Sequence, residues 1–204
     1  MTSRRAGLIG LALSVLGSPS SAFAQTPMPK VIANPAGAMA GEYKLDPHHA
    51  SVTVKLAHMG LSRYTLRFDG VDGHFAYDPT RPTATQVTIS IDPKSVDTGD
   101  HAFDQLIANR YFEVAKFPTI GFTSTGAKAS GSHGVVDGVL NFHGVRKPVA
   151  LDVTYRGFTD MEGQQRMGFS GEATFHRSDF GVNAYVPLEG DEVKVLIEVE
   201  FIRR

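Results

Sequence analysis

Hydrophobic and polar residues alternate along most of the chain, most plainly in its last run. There Val193, Val195, Ile197, Val199 and Phe201 interleave with Lys194, Leu196, Glu198, Glu200 and Ile202. Strand side chains point to opposite faces in turn, so this pattern predicts a strand with one face in an interior. Upstream, Val149, Leu151, Val153 and Tyr155 alternate with Ala150, Asp152 and Thr154. Together with the run 139–142, across a turn containing Gly144 and Pro148, they predict a β-hairpin. Pro148 has no N–H to give a ladder, so it belongs at the first residue of its strand or on an edge, and it fits the start of the second run. Further strands are predicted over 43–46, 51–58, 64–68, 75–77, 87–91, 120–122 and 169–175, with breaks at Asp46-Pro47, Asp69-Gly70 and Asp72-Gly73. One segment departs from this period: over 97–112, Phe103, Leu106, Ile107 and Tyr111 recur at helical spacing behind Thr98 or Asp100 as a cap. About ten short strands and one helix predict an all-β antiparallel barrel or sandwich. The barrel is preferred, because a final strand this long and regular is an aggregation hazard as a free edge.

The two ends of the chain are organised differently. Arg4 and Arg5, the apolar stretch 6–16 and Ala22-Phe23-Ala24 have the order of a secretory signal, which predicts cleavage after Ala24 and export to the periplasm. Residues 25–41 carry three prolines and no periodicity, and read as a flexible tether ahead of a single domain over 42–204. Removing 1–24 takes away two of 20 basic residues and none of 21 acidic ones, leaving 18 − 21, a net charge of −3. A mildly acidic chain without a basic stripe does not suit nucleic acid. There is no cysteine, so an exported domain must hold together through its core alone.

Candidate chemistry is sparse. His48, His49 and His58 form the nearest histidine cluster, but adjacent residues of a strand face apart and no cysteine assists, so no metal site is expected. Asp46, Asp92, Asp97 and Asp100 lack calcium-loop spacing. No motif places a serine beside a base, and an enzyme is not expected. The run Arg177-Ser178-Asp179-Phe180-Gly181 reads as a structural turn, with Asp179 pairing Arg177 or capping N–H groups and Gly181 in a left-handed conformation. The competing reading sets Arg177 against an anionic head group. Of thirteen phenylalanines, Phe68, Phe122, Phe142, Phe169, Phe175 and Phe201 sit on apolar faces, where they fit a packed core as well as a cavity.

Several motifs in order resemble the YceI-like family of secreted lipid-binding proteins: Asp46-Pro47-x-His49 with His58-Met59-Gly60-Leu61-Ser62, the run from Asn109 to Phe122, His143-Gly144-Val145-x-Lys147-Pro148-Val149, and Arg177 to Gly181 with Asp191-Glu192-Val193. Ala50, Leu66 and Gln105 depart from the family pattern, standing where a serine, a glycine and a histidine are usual. The resemblance covers about residues 42–204. It implies a lipocalin-like barrel whose lumen holds a polyisoprenoid or another long-chain lipid, without cofactor. On that reading Phe68, Phe122, Phe142, Leu151, Val153, Phe169, Phe175, Val195, Ile197 and Val199 are the lumen candidates. His49, His58 and Arg177 are the head-group candidates. A carrier of this kind is expected to touch a membrane or a lipid donor or acceptor protein transiently, and both monomer and dimer are compatible with the sequence.

Overall fold

The last strand finds a partner along both of its edges, and that closes the sheet. The computed structural model describes residues 28–204, so the signal segment and its cleavage site lie outside the described residues. Ten strands follow in chain order: β1 (Gly41–His58), β2 (Ser62–Phe68), β3 (Val71–Tyr77), β4 (Val87–Ile91), β5 (Val96–Asp97), β6 (Ile120–Ser130), β7 (His133–Phe142), β8 (Val145–Met161), β9 (Gln164–His176) and β10 (Glu189–Arg203). All pairings are antiparallel. The order β10-β9-β8-β7-β6-β4-β3-β1 closes through β10–β1 into an eight-stranded barrel, which the predicted antiparallel barrel matches. The strands β2 and β5 widen the wall beside the C-terminal half of β1. Closure satisfies the ladder on both sides of β10 and removes the exposed edge its apolar face would otherwise offer.

The two runs 43–46 and 51–58 belong to one strand rather than two. In β1, Leu45 faces Phe201 and Ala50 faces Val199, so Asp46 to His49 bulge out opposite Glu200. The bulge changes which positions point inward, from Tyr43 and Leu45 below it to Val52, Val54 and Leu56 above. The placing of Pro148 is also corrected. The strand β8 begins at Val145, and Pro148 lies inside it opposite Val139. Its missing N–H costs nothing there, because β9 pairs β8 only from Asp152 onward. The helix α1 (His101–Leu106) starts behind Asp100, one of the two expected caps, while Val96 and Asp97 are drawn into β5 against Phe68 and Arg67. Asp100 caps α1 by accepting from the N–H groups of Ala102 and Phe103, and the helix runs on as a wider π-turn, Ile107–Tyr111.

The segment 32–38, read from sequence as part of a flexible tether, is docked. Ile32 and Phe158 exchange backbone hydrogen bonds of 2.8 and 3.0 Å, Tyr77 Oη donates to Pro35 O at 2.8 Å, and Ala38 is buried. These residues cover one end of the barrel, while α1 crosses the other.

Candidate functional site

The barrel interior is packed at one end and open along the rest. At the end under residues 32–38, Tyr43 stacks on Phe75 with centroids 5.2 Å apart, and Phe75 meets Phe201 edge-on at 4.8 Å. The Tyr43 hydroxyl is 2.6 Å from Gln165 Oε1, which also accepts the Met39 N–H at 2.7 Å. Burial pushes the Tyr43 phenol up to about 12. These rings fill the side of that end formed by β1, β3 and β10.

Above it lies a cavity of about 460 Å³ that extends from the β6–β7 hairpin at Ser132 to the helix end at His58 and Glu189. All ten lumen candidates line it: Phe68, Phe122, Phe142, Leu151, Val153, Phe169, Phe175, Val195, Ile197 and Val199. Phe68, Phe122 and Phe142 are buried. The other seven face inward yet remain only half-buried, because the space they face is not filled by other side chains. Sequence reasoning did not place Tyr64, Phe103 and Tyr111 in this wall, although all three stand on apolar faces. Tyr64 and Phe103 meet edge-on at 5.7 Å and seat α1 against the cavity. Burial raises the phenols of Tyr64, Tyr77, Tyr111 and Tyr155, so these wall hydroxyls stay protonated and uncharged at neutral pH.

The three head-group candidates separate. His58 lines the cavity at the helix end. His49 does not: it stands on the outer bulge of β1, its ring nitrogen 2.9 Å from Asp46 Oδ2, with most of its side chain in solvent. Arg177 borders the cavity but is 7% exposed, and four of its five N–H donors are committed to the main chain. Its Nε donates to Gly190 O, Nη1 to Val182 O, and Nη2 to Ala184 O and Glu189 O, all within 3.0 Å. Arg177 therefore clamps the loop between β9 and β10 through carbonyls rather than through Asp179. Gly181 takes φ 78°, a left-handed turn position that suits glycine. Asp179 pairs with Lys147 at 2.8 Å rather than with Arg177, and Asp191 accepts from Ser178 N–H and Oγ–H.

One group of potential metal ligands stands together among the described residues: Asp46, His49 and Glu200, with ligand atoms within 4.8 Å of one another. A cation already serves it. Arg166 Nη1 lies 2.6 Å from Asp46 Oδ2 and 3.4 Å from Glu200 Oε2. Burial by itself would raise the Asp46 carboxyl, but hydrogen bonds from Arg166, His49 and the His48 N–H outweigh it and hold the group at about 2. The cluster is a partly buried ion pair that pins the bulge.

The description "YceI-like domain" fits residues 43–201, the whole barrel. The chain belongs to the YceI-like domain family. A UPF0312 protein of Pseudomonas aeruginosa is 37% identical over 171 residues, covering 82% of this chain and 90% of that protein. Among solved structures, Burkholderia cenocepacia BcnA superposes with a TM-score of 0.67 at 22% identity, over 76% of this chain and 98% of that one. A Saccharophagus degradans domain described as polyisoprenoid-binding and implicated in plant cell wall breakdown gives a TM-score of 0.63 at 18% identity, over 79% and 98%. At those identities both structures speak for the YceI-like fold alone.

Proposed function

We propose that this YceI-like protein is a non-catalytic periplasmic carrier that holds one long-chain lipid, a polyisoprenoid or a chain of similar shape, inside its barrel. The observation that carries the reading is the cavity of about 460 Å³, walled by the inward side chains of Leu151, Phe169, Val195, Ile197 and Val199. A space bordered by aliphatic and aromatic carbon offers water few hydrogen bonds and offers hydrocarbon a close fit. Each buried CH₂ contributes about 0.8 kcal/mol, so a chain of roughly ten buried carbons gains on the order of 8 kcal/mol before association entropy is charged. Membership of the family and the polyisoprenoid-binding description of the Saccharophagus domain agree with this ligand class. His58 is the head-group candidate that remains at the cavity.

The test is organic extraction of protein purified from the periplasm without denaturation, followed by mass spectrometry. The expected result is one species of long apolar chain near one mole per mole. Protein that carries no such molecule, and takes none up from a dispersed prenol, would remove the carrier reading.

A further inference from the structure

A lipid held in this way still has to enter and leave, and the helix end of the barrel carries a surface suited to that step. Among the described residues, six of the eleven exposed large hydrophobic side chains gather there: Met59, Leu61, Leu106, Tyr185, Val186 and Leu188. The other five lie in residues 28–39 and at Met161, toward the opposite end. Leu61 is 84% exposed, Leu188 61% and Met59 58%.

These side chains are continuous with the cavity wall. Met59 follows His58 and Leu188 precedes Glu189, both of which line the cavity, and the Met59 N–H donates to Leu188 O at 2.7 Å. The Tyr185 ring stands 6.3 Å from that of Tyr111, another wall residue. Leu106 lies one turn beyond Phe103 on α1. Met59 and Tyr185 also hold left-handed backbone conformations, with φ of 52° and 60°. Glycine or asparagine takes such turn positions at lower cost, so a large apolar side chain kept there and turned to solvent points to a use outside the fold. Two arginines share this end: Arg63, opposite Ala57 in the β1–β2 pair, and Arg110, beside Tyr111. Both are exposed, and neither has a carboxylate partner among the described residues.

The geometry points to this rim as a membrane-docking surface. The protein seats the helix end of the barrel on a phospholipid bilayer, with Leu61, Leu188, Met59 and Tyr185 in the interfacial layer and Arg63 and Arg110 against lipid phosphates. The chain then passes between bilayer and cavity without crossing water. This inference rests on the carrier reading. An apolar ring flanked by unpaired cations is the pattern that peripheral proteins present to an anionic interface, and its continuity with the cavity is what direct transfer requires.

The experiment uses the mature protein, vesicles of phosphatidylethanolamine and phosphatidylglycerol, and a fluorescent long-chain prenol as cargo. Flotation measures docking, and cargo movement from donor to acceptor vesicles measures transfer. Leu61→Glu and Leu188→Glu alter exposed side chains and should fold like the wild type, with the same uptake of detergent-dispersed prenol. Each is expected to weaken flotation roughly tenfold, the order of effect of withdrawing one leucine from an apolar environment. Transfer by the wild type should accelerate with acceptor vesicle concentration, and both variants should lose that dependence. Arg63→Gln with Arg110→Gln should weaken flotation only when phosphatidylglycerol is present. The proposal is overturned if the glutamate variants float and transfer like the wild type, or if wild-type transfer ignores vesicle concentration. It is also overturned if sedimentation without vesicles shows a dimer that the glutamates dissociate, since the rim would then bind a second copy. Failure of every form to take up dispersed prenol would instead count against the carrier reading.

Discussion

Asp46 shows how much depends on a single residue's surroundings. In the sequence it is a turn former ahead of a proline; in the barrel it is 5% exposed and bonded to Arg166, His49 and the His48 N–H. Its carboxyl sits at about 2 in the folded state against 3.8 when free. The folded form therefore releases this proton more readily than the unfolded chain, and the group stabilises the fold above about pH 4. That stability drains away as pH falls from about 4 to 2 and protons bind preferentially to the unfolded state. The contribution is on the order of 2 kcal/mol. Urea midpoints measured across this window should fall for the wild type, and Asp46→Asn should flatten that part of the profile while lowering stability at neutral pH. A wild-type profile no steeper than the variant's would contradict the assignment. The residues that eluded sequence reasoning are of this kind. Arg166, Glu200 and Asp46 are far apart in the chain, and only closure of β10 on β1 and β9 brings them together.

At the scale of elements, close approach between strands sets limits that periodicity does not register. Gly138 pairs with Val149 on one side and Ser124 on the other, and the ring of Phe122 lies directly over it. A Cβ at this position would collide with that ring and stand 2.7 Å from Thr123 O. Gly138→Ala is expected to cost about 1–3 kcal/mol, read as a lower urea midpoint at unchanged m-value. Adding Phe122→Leu should restore part of the loss, because the smaller side chain relieves the contact with the ring but not the one with the carbonyl. An additive double variant would show that the two positions do not share the strain. The glycine of Asp72-Gly73 has a similar explanation. It reads as a break between strands, yet it lies inside β3, where a Cβ would stand 2.5 Å from Ile89 Cδ1. Turn formers mark turns only when nothing else requires their small size.

At the scale of the whole molecule, the question is whether the interior accepts extra volume. Ile197 lies mid-strand in β10, half-buried against the cavity and opposite Val52 and Gly171. In a close-packed core, Ile197→Trp would destabilise by about 1–3 kcal/mol. In this barrel the indole has space to occupy, so the delipidated variant should melt within a few degrees of the delipidated wild type while its capacity for a dispersed prenol falls. Both proteins must be stripped first, since bound lipid raises the apparent stability of the folded state by mass action. A large loss of stability with undiminished uptake would mean that the chain binds elsewhere.

Period-two alternation by itself determined the strands, the inward residues of β8 to β10 and the preference for a closed sheet, because the side-chain period and the cost of a free edge are local properties of the chain. The inward direction of the ten candidate positions was legible for the same reason, whereas the cavity itself was implied only by the family resemblance. Tertiary structure alone decided which inward residues pack and which border a cavity, because an alternating face reads the same whether carbon or open space lies opposite. It also decided that Asp46 to His49 would bulge and turn His49 outward, that Arg177 would spend its donors on carbonyls, and that residues 32–38 would dock on Phe158 and Tyr77. Each of these depends on which distant backbone groups arrive within about 3 Å, and that is set by the register of the closed barrel rather than by any local run of residues.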